Sequence, residues 1–109
     1  MQQDSHKTQV DKKPVVLINV FTLKEGKLDE FIELQTAALH NFKGKVPGWL
    51  GSRLHRELDG SSAVMMSIFE SREDINRWYE TKLFSEHRAK VIPLVERAEP
   101  KLYEVVYKI

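Results

Sequence analysis

The 109-residue chain has no cysteine, which excludes a disulfide framework, a thiol nucleophile and a thiolate metal site. Neither sign of charge prevails. Lys and Arg total 17 against 16 Asp and Glu, spread along the chain, so no basic stripe offers itself to nucleic acid or an anionic membrane. No apolar run approaches the length of a membrane span, and the amino terminus lacks the apolar core of a signal peptide. A glycine-rich phosphate loop, a Ser-His-Asp pattern and a Glu-x-x-His pair are missing too. His55 and Glu57 share one face of a predicted strand but have no third ligand nearby in sequence, so no metal site is expected. What is left is a soluble domain, cytoplasmic by default, with neither nucleic acid nor membrane as partner.

Residues 1–13 are polar apart from Met1 and Val10, which predicts a flexible tail ahead of one domain spanning 14–109. Val15 to Phe21, VVLINVF, reads as a strand apolar on both faces. After the Lys24-Glu25-Gly26 turn, Leu28, Phe31, Ile32, Ala38, Leu39 and Phe42 recur at helical spacing, and Asp29, Glu30 and Glu33 suit the helix amino terminus. Trp49 to Glu57 alternates like a half-exposed edge strand, Asp59-Gly60 turns the chain, and Ala63 to Phe69 returns as a second strand apolar on both sides. Ser71 with Asp74 three residues later marks a helix start that carries Ile75, Trp78 and Tyr79 on one face. Thr81-Lys82 interrupts the pattern, a short helical piece places Phe84, His87 and Val91 together, and Pro93 ends it. Lys101 to Ile109 is the expected last strand.

This order, β-α-β-β-α-β, predicts an α+β, ferredoxin-like fold: a four-stranded antiparallel sheet with two helices on one face. A sheet of that kind turns a polar second face to water, yet three of these strands are apolar on both. A second copy packed sheet to sheet would cover it, since a few hundred Å² of exposed apolar surface would forfeit several kcal/mol at about 25 cal/mol per Å².

Asn19 is the most informative residue. Its amide sits among Leu17 and Phe21 on one strand face, where an unpaired polar group costs roughly 1–3 kcal/mol. It either bonds nearby backbone or serves as a donor in an apolar pocket. Trp78, with Tyr79, Phe84, Phe31, Phe42 and Met66, either fills a core or lines a slot for a flat aromatic ligand. His87 is either a surface histidine or an acid/base or axial-ligand group at the mouth of that slot.

The strings VVLINVFTLKEG, VPGWLGSRLHRELDG, FESREDINRWYETKLFSEHRAKVIPLVE and LYEVV resemble the antibiotic biosynthesis monooxygenase domain, which includes quinol monooxygenases and haem-degrading enzymes. The resemblance covers Pro14 to Ile109 and implies a dimeric α/β barrel. It places Asn19 on the first-strand asparagine of active members and Trp78 on their helix tryptophan. Aligned on Trp78 without a gap, Arg88 rather than His87 meets the iron-binding histidine of the haem degraders. The resemblance thus implies a cofactor-independent, quinone-forming monooxygenase acting with O2 on a quinol-like or polycyclic aromatic, with Asn19, Trp78 and His87 catalytic. Leu17, Phe21, Phe31, Met66, Tyr79, Phe84 and Arg88 would contact the substrate. Its alternatives are a haem-binding or haem-degrading protein and a non-catalytic dimeric binding module.

The second-face pattern yields a direct expectation: light scattering at micromolar concentration should return twice the monomer mass, and a monomeric mass refutes the homodimer.

Overall fold

The computed structural model describes residues 13–109, so all but the last residue of the expected tail lies outside the described residues. The elements are β1 (Val15–Leu23), α1 (Leu28–Phe42), β2 (Trp49–Arg56), β3 (Ser62–Phe69), α2 (Arg72–Tyr79), α3 (Lys82–Val91), a 3-10 turn (Ile92–Leu94) and β4 (Val95–Tyr103). The sheet order is β2-β3-β1-β4, antiparallel throughout, so the fold is the ferredoxin-like one. The second helix is two helices. Thr81 makes the break: its hydroxyl donates to the Trp78 carbonyl at 2.7 Å and accepts from the Phe84 N–H at 3.1 Å, closing α2 and opening α3.

Parity along β1 decides what each side chain meets. Leu23 and Phe21 point to the helix side and pack with Phe31, Ala63, Val91 and Leu94 into the core, the rings of Phe21 and Phe31 lying 4.8 Å apart. Val16, Ile18 and Val20 point the other way, opposite Ile68, Met66 and Val64 of β3. The second face of the two central strands is therefore apolar, flanked by Arg53 and His55 on β2 and by Arg97, Glu99 and Lys101 on β4.

The last strand differs from expectation. It begins at Val95, runs through Pro100 and stops at Tyr103. Proline is tolerated because β4 is an edge strand, where a missing N–H can face away from its one neighbour. The ladder stops because Tyr103 already pairs with Val16, one residue from the start of β1, and Pro14 before it has no N–H to offer. Val105, Val106, Tyr107 and Ile109, expected in that strand, are exposed. On β2 a register shift between Trp49 and Gly51 turns Leu50 outward, which separates it from Leu54.

The entry to α2 is tightly built. Ser71 Oγ accepts the Asp74 N–H at 3.3 Å and donates to Asp74 Oδ2 at 2.8 Å, while Arg77 donates to Asp74 Oδ1 at 2.5 Å. Gly48 lies against this buried carboxyl with φ of 82°, and a Cβ there would sit 2.2 Å from Asp74 Cγ. Gly48→Ala should therefore lose about 1–3 kcal/mol of stability from backbone strain, with the clash adding to it. Urea denaturation checks this, and an unchanged midpoint would refute it.

Candidate functional site

The helix side of β1 is packed at one end and hollow at the other. Beyond Phe21, where Asn19 and Leu17 follow on the same face, a cavity of about 500 Å³ opens between the sheet and the three helices, a size typical of small-molecule sites. Met65, Ser67 and Phe69 of β3 complete its floor, with Trp49 and Ser52 of β2 at one side. Ala98 and Pro100 of β4 and Ile92 line the cavity yet are exposed, so it opens between β4 and α3.

The wall opposite the sheet is aromatic. Phe42 meets Trp78 edge to face at 4.9 Å and His87 at 5.4 Å. Phe84 meets Trp78 at 5.4 Å and Tyr79 at 4.9 Å. Such contacts hold the rings in place and leave flat surfaces beside the hollow. Tyr79, partly exposed, and Arg88, exposed, stand at its rim.

A few polar groups interrupt this apolar lining. Asn19 Oδ1 is buried with no hydrogen-bond partner among the described residues, while its amide nitrogen is not sealed in the same way and can donate into the cavity. Trp49 Nε1 donates to Ser52 Oγ at 2.9 Å, and Ser52 Oγ lies 2.6 Å from Ser67 Oγ. One proton joins the two serines, so one hydroxyl hydrogen is left over on this cavity-lining pair. His87 Nε2 is hydrogen-bonded to Gln35 Oε1 of α1. Among the described residues no carboxylate lines the cavity, and the titratable groups that do are Tyr79, His87 and Arg88. Burial raises the Tyr79 phenol above its ordinary value, and burial, with the Lys90 charge adding to it, lowers His87.

Of the expected site residues, Leu17, Asn19, Phe21, Trp78, Tyr79, Phe84, His87 and Arg88 all line this one cavity. Two do not. Phe31 is fully buried in the core beneath Phe21, shut off from the hollow. Met66 pairs with Ile18 on the far side of the sheet, and its neighbour Met65 takes the inward place because successive strand side chains alternate. Gln35, Ser52 and Ser67 were not anticipated. Gln35 could have been: it follows Phe31 by four residues and precedes Phe42 by seven, a polar residue on an apolar helix stripe.

Among the described residues no group of three or more His, Asp or Glu is placed to hold a metal, and no helix is long and apolar enough to cross a membrane. A haem does not fit the residues present. The Nε2 that would bind iron is engaged by Gln35, 4% exposed, whose amide would be left buried without that partner.

Fold and cavity together define a ferredoxin-like domain with a largely apolar hollow between its sheet and its helices. The family model for antibiotic biosynthesis monooxygenase matches residues 14–90, and the chain belongs to that family. No curated protein matches the chain. Among solved structures it is similar to SnoaB, a cofactor-independent oxygenase from Streptomyces nogalater, with a TM-score of 0.79 and 22% identity over 89% of this chain and 97% of that one. Rv0793 from Mycobacterium tuberculosis gives 0.76 and 18% over 88% and 98%, and a conserved protein from Methanosarcina mazei 0.75 and 15% over 90% and 97%. At these identities the likeness establishes the fold.

Because His87 titrates below its ordinary value of about 6.5, the folded state binds fewer protons than the unfolded one between those two values. Stability is then lost as pH falls from about 6.5 toward the folded value and is unaffected above it. An NMR titration should find the His87 midpoint below 6.5. A midpoint at or above it would refute the placement of this ring in the cavity wall.

Proposed function

We propose that this protein is a cofactor-independent monooxygenase that oxidises a quinol-like or polycyclic aromatic substrate with O2, working as a homodimer. The observation that carries the reading is Asn19, an amide held in an apolar, aromatic-walled hollow at the cost of a buried oxygen with no partner. An unsatisfied buried group costs roughly 1–3 kcal/mol, which packing alone gives no reason to accept.

The cavity matches the chemistry of an electron-rich aromatic. Rings of Trp78 and Phe84 offer flat contact, Asn19 and the spare serine hydroxyl offer donors to substrate oxygens, and Arg88 adds positive charge at the rim. Once a phenol or an activated ring carbon is deprotonated, the anion itself reduces O2. One atom of O2 is placed on the reacting carbon and the other leaves as water with two substrate hydrogens: both from that carbon where it is a CH2 of the anthrone type, one from the carbon and one from the hydroxyl where the substrate is a phenol. The protein's task is to bind the flat molecule, take its proton, stabilise the anion and exclude water. His87, the lining group able to exchange a proton near neutral pH, is the base, and the lack of a lining carboxylate among the described residues favours a substrate that becomes anionic.

Two surfaces support the homodimer: the apolar second face of β1 and β3, and the exposed Val105, Val106, Tyr107 and Ile109 beyond β4. Both present apolar area that a second copy would remove from water.

Asn19→Ala should lower turnover by about a hundredfold, the usual loss when one donor to a developing oxyanion is removed. Asn19→Leu should do the same while raising the unfolding midpoint, because it abolishes an orphaned buried oxygen. The assay is O2 uptake on a panel of quinols and anthrones beside thermal denaturation. Uptake equal to that of the unaltered protein would sink the assignment.

A further inference from the structure

We propose that Gln35 is a positioning residue for His87, its amide oxygen holding the imidazole as the Nε2–H tautomer so that Nδ1 takes the substrate's proton. This rests on the monooxygenase reading above and names the nitrogen that acts in it. The carrying observation is the hydrogen bond between His87 Nε2 and Gln35 Oε1, which joins α3 to α1 across 52 positions of sequence. A neutral imidazole has one donor nitrogen and one acceptor nitrogen, and an amide oxygen only accepts. With Oε1 as partner, Nε2 carries the proton and Nδ1 keeps its lone pair. Gln35 is 4% exposed and cannot turn to solvent, and the Phe42 ring stands against the imidazole with planes at 89°. Both restrict rotation of His87.

The neutrality of Gln35 matters as much as its geometry. A carboxylate in its place would favour imidazolium and quench the base. The charged groups near His87 are Arg88 and Lys90 of its own helix, and Tyr79 of α2 is the other titratable group of the cavity wall. Helix α1 presents neutral Gln35 and Phe42, and the sheet contributes no titratable side chain to the lining. Burial, with the Lys90 charge adding to it, thus disfavours protonation of the ring in the resting state. In the reaction, the substrate's O–H or activated C–H bond breaks, its electron pair stays on the substrate, and the proton bonds to Nδ1. The imidazolium keeps its Nε2–H on Gln35, a bond that strengthens when the donor is charged. The proton leaves with the water formed when O2 is reduced.

The tautomer is read on the intact protein labelled with 15N-histidine, by long-range proton–nitrogen correlation at a pH where His87 is neutral. The expected result is a protonated Nε2 and a bare Nδ1; a protonated Nδ1 overturns the proposal. In Gln35→Glu, close to isosteric, the His87 midpoint should rise by about one to three pH units, and the acid limb of kcat/KM should move with it. An unmoved midpoint in the folded variant overturns the proposal, because it would show that side chain 35 does not meet the His87 ring. Gln35→Met serves if the glutamate variant does not fold. It should give mixed tautomer signals and a kcat about tenfold lower at unchanged KM, and an intact Nε2–H tautomer there overturns the proposal. The spectroscopic arms need no substrate. If they come out as expected and no aromatic drives O2 uptake, the monooxygenase reading fails and the tautomer assignment stands.

Discussion

The central strand β1 is hydrogen-bonded along both edges, to β3 on one side and β4 on the other, and this double pairing fixes which way each of its side chains points. A slip of one residue would exchange the two faces, sending Asn19 to the far side and Val20 into the hollow. Because Leu23 and Phe21 are locked into the core by Phe31 and Leu94, the register cannot slip without emptying that core. Packing at one end of the strand thus holds the Asn19 amide at the other. Rigid placement is what a binding group would need, and here it comes from the closed, packed end of the strand.

The cavity keeps features that cost stability. Asn19 leaves a buried oxygen without a partner, and Gln35 and His87 are taken from water to bond one another. Apolar residues would have packed these places at no such cost. The lowered affinity of His87 for protons follows from the same burial, so the destabilising feature and the proposed base have one origin. The cavity also leaves Ala98 and Pro100 uncovered, where helices could have closed over the sheet had filling space been the only demand.

Strand periodicity made most of the fold legible, and a polar residue in an apolar strand made Asn19 legible. Parity is where reading residues singly failed: Met65 and Met66 are alike in chemistry, and only the register tells which faces inward. Phe31 and Phe42 lie on the same stripe of α1, eleven residues apart, but one meets the closed end of β1 and the other the hollow. The sequence holds no mark of that difference, because it depends on how far along the sheet each turn of helix lies. Gln35 escaped notice although it carries the same signal as Asn19, since helices tolerate glutamine and strands disfavour asparagine. The start of β4 was misplaced because Pro100 looks like a boundary until the strand is known to be an edge.

The break at Thr81 brings Trp78 and His87 into one wall. In a continuous α-helix each residue turns by about 100°, so side chains nine positions apart would point in nearly opposite directions. A single helix could present the tryptophan or the histidine to the cavity, but not both. By capping α2 and starting α3 with one hydroxyl, Thr81 resets the direction of the chain, and both rings come to pack on Phe42. The same reset sets His87 against Gln35. Because α3 starts afresh, an alignment on Trp78 that runs gaplessly through position 81 cannot say which of His87 and Arg88 faces the hollow. Packing on α1 decides it, with His87 against Phe42 and Gln35 and Arg88 left at the rim.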